Sequence, residues 1–275
     1  MIKKEPARIL FLSPSRGKIH VDYDFPSFIN QLERVEDIAD LPEYKVIHSG
    51  RNRVGKMPFV LENEKKIDLV IKEFRLKGIN RIKSLFLPSK ARRAWNGAMA
   101  LWEKGLNTPK PVAFLELPRF PGIKMGYFIT ESLEGFEEIR YMLRDANSEE
   151  LKNLVKSLAE FVSSIHSHGI IHRDLSDGNI LVSCNKNGGY IFYLIDTNRI
   201  RTKARPGKLC RIKNLIRLGI PEGLQAFFLE IYVGDHPVSR VLWFWYRFNK
   251  KTFERYLQLK KILRVKKLAE ILRIQ

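Results

Sequence analysis

The sequence predicts an α+β chain of two lobes, a sheet-rich N-terminal one and a helical C-terminal one. Three observations predict it. The 275 residues exceed what one small core needs. The first 131 residues hold short apolar segments of strand length around one prominent helix. The remainder carries a long amphipathic helix and reads as helical throughout after residue 206. The lobes are expected to divide as 1–131 and 132–275. They meet near "ESLEGFEE" (131–138), where Gly135 permits a hinge.

The elements follow in order. "ARILFL" (7–12) and "KIHVDY" (18–23) are short strands. Residues 27–40 place Ile29, Leu32, Val35 and Ile38 at helical spacing. Strand-like segments come next at 44–48, 58–62 and 67–74. Residues 89–104 form a helix with Ser89 as its cap and Gly105 as its stop. Two more strands occupy 110–117 and 124–131. A helix over 148–167 lines up Leu151, Leu154, Val155, Leu158, Val162 and Ile165, with Asn147 and Glu150 as a capping box. "NKNGG" (185–189) then turns between strands 180–184 and 190–195.

Composition bounds the partners. There are 49 Lys and Arg against 30 Asp and Glu, a net charge of +19. Such an excess calls for an anionic partner: nucleic acid, phosphate, or an acidic membrane surface. Cys184 and Cys210 lack metal-ligand spacing and read as reduced thiols. The apolar run Ile9 to Leu12 is too short for a signal peptide, and Val241 to Tyr246 is far below a bilayer span. The expected location is the cytoplasm, or the cytoplasmic face of a membrane.

Chemistry gathers at "IHRDLSDGNILV" (171–182), with Asp174, Asp177 and Asn179 within six residues. The carboxylates could hold cations, one could take a proton, or the stretch could be a polar turn. Asp196 ends the apolar strand "YIFYLID", and a strand pair would fold it back beside Asn179. Two converging oxygen side chains suit a hard cation such as magnesium. Asp174 is then left to face the reacting group. Upstream, Lys72 sits inside "DLVIKEF", either as a solvent-facing lysine or as a phosphate ligand.

"HRDLSDGN" resembles the protein-kinase catalytic loop H-R-D-x-x-x-x-N at His172, Arg173, Asp174 and Asn179. "VIK" resembles the nucleotide-positioning lysine strand, and "IDTN" stands where D-F-G stands. Order and spacing agree over roughly residues 44 to 235. Further stretches resemble the lipopolysaccharide kinase family, which phosphorylates Kdo or heptose sugars of the lipid A core. They are "SGRNRVGK", "ARRAW", "GLNTPKPVAFLE", "FITESLEG" and the small-residue loop "LSDGN". The resemblance implies a two-lobed protein-kinase-like fold with ATP between the lobes. It implies that Asp174 orients or deprotonates the acceptor hydroxyl. Asn179 and Asp196 hold Mg2+, and Lys72 pairs with ATP phosphates. The backbone at Glu131 and Leu133 meets the adenine.

"GRNRVGK" (50–56) matches most of a P-loop, yet Met57 stands where Ser or Thr should bind magnesium, and a strand follows. It is read as a kinase-type loop over phosphates. Gly50 and Gly55 allow close approach, and Arg51, Arg53 or Lys56 add grip. The helix glutamate that normally pairs with the strand lysine is expected near residue 94, which is Ala94. That absence motivates a pseudokinase reading. Thr197 and Asn198 replace the phenylalanine and glycine of D-F-G, and Ser176 stands where serine/threonine protein kinases carry lysine. "GKLCRIKNLIRLG" leaves no long peptide-docking segment, which argues against an atypical protein kinase and for a small or lipid-linked acceptor. His166 and His168 are placed at a helix end, where imidazole suits the dipole.

From Thr197 to Arg217 there are eight basic residues and no acidic one. Arg199, Arg201 and Arg205 are expected to bind phosphates or carboxylates of an anionic sugar or glycolipid acceptor. No aromatic interleaves this stretch, so nucleic acid is disfavoured. Residues 250–275 hold nine basic residues against two acidic ones and follow "WFWYRF" (243–248). This tail is expected to meet an anionic membrane surface on the inner face of the cell membrane, or to close the helical core.

Overall fold

The structure is a computed structural model describing residues 6–50, 52–61, 66–145, 148–185 and 188–273. The chain divides into two compact units. The first takes the described residues up to Phe136 together with Tyr193–Arg201. The second takes Glu137–Phe192 and the chain from Thr202 onward.

The first unit is built on seven strands: β1 (Ala7–Phe11), β2 (Arg16–His20), β3 (Lys45–Ser49), β4 (Arg53–Val60), β5 (Lys66–Arg75), β6 (Pro111–Pro118) and β7 (Ile123–Glu131). They hydrogen-bond in the order β1-β2-β6-β7-β5-β4-β3, and each neighbouring pair is antiparallel. Period-two alternation sorts the side chains to two faces. Leu69, Ile71, Leu115 and Ile129 share a core with Phe28 and Leu32 of α1 (Pro26–Glu33). Phe74, Phe114 and Phe128, one position out of step, pack on the other face. There they meet Ala91, Ala94, Trp95 and Ala98 of a longer helix. Burying a side chain such as Phe28 contributes roughly 1.5–3 kcal/mol, so both faces need their helix.

A short helix, α2 (Ile79–Lys83), follows β5, where the sequence pattern predicts no element. The longer helix is α3 (Lys90–Trp102), and Ser89 caps it by accepting the Arg92 N–H at 3.1 Å. The helix expected over 27–40 stops at Glu33. Val35 and Ile38 are still buried, but from turns and a single 3-10 turn at Ile38–Asp40. Glu33, Glu36 and Asp37 sit where a continuing helix would place its negative end, which disfavours it.

In the second unit, the strands are β8 (Glu137–Glu138), β9 (Ile170–His172), β10 (Ile180–Cys184) and β11 (Tyr190–Leu194). The last of these passes into the first unit at Tyr193. The helices are α4 (Ile139–Asp145), α5 (Ser148–Ser167), α6 (Lys208–Asn214), α7 (Gln225–Val233) and α8 (Arg240–Arg273). Leu154, Val155, Leu158, Val162 and Ile165 of α5 are buried as their spacing predicts. Asn147, named as half of its capping box, lies outside the described residues. At the start of α8, Leu242 and Tyr246 are buried while Phe244 and Phe248 are exposed, so the aromatic run divides between core and surface. Among the described residues no helix is long and apolar enough to cross a membrane.

Candidate active site

In the first unit, Lys72 and Asp196 are brought together. Lys72 lies in the middle of β5, and its Nζ is 2.5 Å from Asp196 Oδ1. Asp196 follows β11, whose end is held by two bonds. The Leu194 N–H donates to Asn107 O at 3.0 Å, and Thr108 Oγ1 donates to Leu194 O at 2.9 Å. Asp196 adopts φ 56° and ψ 45°, a left-handed conformation that few residues other than glycine take. Such backbone strain persists only where the surroundings hold it. Here Asn198 Nδ2 donates to Asp196 Oδ1 at 2.9 Å, and the next residue is tethered to α3.

That tether reaches α3 at Ala94. Position 94 is buried among Phe74, Trp95 and Phe114 and carries no carboxylate, but Lys72 is not left alone. Thr197 Oγ1 donates to the Ala94 carbonyl at 2.7 Å. A Cβ on Gly97 would collide with the Thr197 carbonyl, so glycine is what lets the helix approach this closely. Helix α3 is therefore linked to Lys72 through Thr197 and Asp196.

The nucleotide-loop residues lie in the same unit. Gly50 stands in the bend between β3 and β4. Gly55 lies within β4 against the Tyr44 ring, where a Cβ would clash. Tyr44 in turn donates to buried Glu73 at 3.1 Å, and Glu73 helps hold its hydroxyl pKa up at about 12, after burial. Arg53 lies 5.0 Å from the Tyr44 ring and 3.9 Å from Glu73. Lys56 bonds Asp68 at 2.8 Å and Glu134 at 3.1 Å, which raises its pKa. Both cations are thus engaged with the sheet, and Arg51 lies outside the described residues. Glu131 ends β7, where its N–H donates to Lys110 O at 3.0 Å and its carboxylate accepts from Tyr23. Among the described residues Leu133 has no backbone hydrogen bond, and Gly135 takes φ +72°.

In the second unit, Asp174 and Asn179 are brought together with Arg217, which no motif spacing assigns to this loop. Asn179 Nδ2 donates to the Asp174 carbonyl at 2.7 Å and to Ser176 Oγ at 3.3 Å. This anchors the amide nitrogen and turns Oδ1 to the other side. The Asp174 N–H is 3.3 Å from His172 Nδ1, with His172 fully buried. The Asp174 carboxylate forms an ion pair with Arg217. The Arg217 guanidinium also lies over the Phe253 ring at 5.0 Å. Gly178 leaves room for the Arg140 guanidinium, which a side chain at that position would strike. Lys250 donates to Leu218 O at 3.0 Å. Burial lowers its pKa, and the charges of Glu254 and Asp177 oppose that. The loop carboxylates of this basic chain are therefore met by cations of their own unit.

His166 departs from the expectation of a dipole-compensating charge. It is buried, and burial lowers its pKa to about 4, so it is neutral. Its Nδ1 lies 2.6 Å from the Tyr232 hydroxyl and its Nε2 3.0 Å from Asn214 Oδ1. Asn214 Nδ2 donates to the His172 carbonyl at 2.8 Å, so Asn214 links this buried pair to the loop that carries Asp174.

The three arginines expected to meet the acceptor do not all belong to one unit. Arg199 and Arg201 belong to the first unit and Arg205 to the second, and all three are exposed. Arg199 and Arg201 lie close enough to Arg93 of α3 to lower its pKa, after the larger effect of burial.

The family model described as Lipopolysaccharide kinase (Kdo/WaaP) family matches residues 46–221. A solved structure described as WaaP in complex with acyl carrier protein is similar with a TM-score of 0.57 and 21% identity. That match covers 80% of this chain and 92% of the other. The serine/threonine-protein kinase PLK4 of Nematostella vectensis is 30% identical over 107 residues, 36% of this chain. The chain spans 11% of that relative's length.

Proposed function

Because the chain belongs to the lipopolysaccharide kinase (Kdo/WaaP) family, a family of kinases acting on sugar hydroxyls, we propose that it phosphorylates a lipopolysaccharide-core-like glycolipid with ATP. The observation that carries this reading is the Asp174 loop. Its backbone is locked by Asn179, and its carboxylate is held by Arg217.

Asp174 accepts the proton of the acceptor hydroxyl as that oxygen bonds to the γ-phosphorus. The bond from the γ-phosphorus to the bridging oxygen breaks, and ADP leaves. Arg217 keeps the carboxylate oriented and offers its remaining N–H donors to phosphoryl oxygens, a cation that Ser176 cannot supply. Lys72 pairs with ATP phosphates, and the backbone at Glu131 and Leu133 meets the adenine. The bend at Gly50 covers the phosphates, with Gly55 supporting it through Tyr44. Asn179, whose anchored amide presents oxygen and not nitrogen, and Asp196 are the residues that would hold a hard cation. Bound there with ATP, magnesium would neutralise charge on the phosphates. Arg199, Arg201 and Arg205 receive anionic groups of the acceptor.

The enzyme would work at the inner face of the cell membrane, where such an acceptor is built. An acyl carrier protein, present with WaaP in the solved structure, is a candidate protein partner tested by co-purification. The deciding experiment supplies labelled ATP with extracted glycolipid and, in parallel, a generic protein substrate. Label should enter the glycolipid, and Asp174→Ala should abolish it while nucleotide still binds. Transfer to protein alone, as the PLK4 similarity would allow, overturns the acceptor assignment.

A further inference from the structure

Two apolar protrusions of the first unit stand together. One is α2 with the turn that follows it, and the other is the turn between β6 and β7. Arg81 Nη2 donates to the carbonyls of Arg119 and Phe120 at 2.7 and 2.8 Å. Ser84 Oγ accepts the Ile123 N–H at 2.8 Å. These bonds tie the protrusions into one surface.

That surface is unusually apolar for one facing water. Phe120 is 93% exposed, Phe86 84% and Leu87 60%, with Ile79, Ile82 and Leu85 also exposed beside them. Contiguous apolar exposure of this kind marks an interaction site. The charge around it has one sign. Between Glu73 and Glu103 the sequence holds seven lysines and arginines and no acid. Arg119 and Lys124 flank the second turn. Among the described residues, Lys77, Lys83, Arg119 and Lys124 are exposed and take part in no ion pair.

We propose that this surface docks the chain on an anionic membrane, with Phe86 and Phe120 entering the interfacial layer and the surrounding cations meeting lipid phosphates. Side chains more than four-fifths exposed are projecting tips, suited to a deformable lipid layer and not to a preformed protein groove. Aromatic tips favour the interface, and clustered cations are drawn to anionic headgroups. An open depression of about 390 Å³, lined by Leu85 and Phe120 together with Arg16 and Arg119, has room for a headgroup. The inference goes beyond the kinase reading and does not depend on it.

The test is co-sedimentation of the full chain with phosphatidylcholine vesicles, with and without phosphatidylglycerol, in the absence of ATP and acceptor. The wild type should sediment with the anionic vesicles only and be released by salt. Phe86→Ser/Phe120→Ser should weaken binding roughly tenfold. Lys83→Glu/Lys124→Glu should do the same with the apolar tips intact, and melting temperatures would show that both variants fold. A wild type that ignores anionic vesicles overturns the proposal. So does wild-type binding by the charge-reversed variant, which would move membrane contact to the basic tail of α8. Retention of an acidic protein without any vesicle binding would replace the membrane by a protein partner.

Discussion

Asp174 lies under two constraints of different kinds. The Asn179 amide holds its backbone, and the Arg217 guanidinium holds its carboxylate. That the two residues share one loop was legible in the sequence, because they lie five apart in a known pattern, but the bond from the amide to the Asp174 carbonyl was not. The second was not, because Arg217 comes 43 positions later and was only one of eight cations in an acid-free run. Nothing in spacing distinguishes it from its neighbours, and only the turn after α6 brings it to the loop. If it serves phosphoryl transfer, Arg217→Ala should lower kcat by roughly a hundredfold or more, with the KM for ATP changed far less. Arg217→Lys should recover part of the rate, and added guanidinium should partly rescue the alanine variant. A change confined to melting temperature would make Arg217 a structural partner of Phe253 alone.

Helix α3 shows how an element can be legible while its task is not. Its span, its Ser89 cap and its end near Gly105 follow from local chemistry. Its coupling to Lys72 does not, because that runs through a backbone carbonyl, a hydroxyl and a missing side chain. Gly97 is the test of this. In an exposed helix, glycine to alanine gains about 1 kcal/mol. Here the added methyl would strike the Thr197 carbonyl, and backbone must move to relieve it. Overpacking of that kind costs roughly 1–3 kcal/mol, so Gly97→Ala should lower the melting temperature despite its better helix propensity. It should also weaken ATP binding, since Thr197 and Asp196 move together. A more stable Gly97→Ala protein would mean that α3 and the Asp196 segment do not pack this tightly. The same limit explains the helix expected over 27–40. Burial of Val35 and Ile38 fits a turn as well as a helix, and periodicity alone cannot separate the two.

At the scale of the whole molecule, the two-part α+β organisation was readable from patterning, and the net charge of +19 from counting. What counting could not supply was which titratable groups the fold buries. His166 stood out in the sequence only as one of three nearby histidines, yet in the fold it is sealed between α5, α6 and α7. Because Asn214 Nδ2 donates to His172, Asn214 Oδ1 must accept, so His166 Nε2 carries the proton and Nδ1 accepts from Tyr232. Burial disfavours a second proton, and the nearby Arg211 charge opposes it further. The folded pKa of about 4 lies below the ordinary 6.5, so the unfolded chain binds this proton more readily. The stability that His166 contributes is therefore complete above about pH 6.5 and falls as pH drops toward 4. The slope is about 1.4 kcal/mol per pH unit, for a total of roughly 3 kcal/mol. Urea unfolding of the wild type and of His166→Gln across that range should show the gap between them narrowing as pH falls. Carboxylates and the remaining histidines titrate in both proteins and cancel in the comparison. Parallel stability curves would show that His166 keeps an ordinary pKa and reaches water, and the link from Tyr232 through Asn214 to the catalytic loop would fall with it.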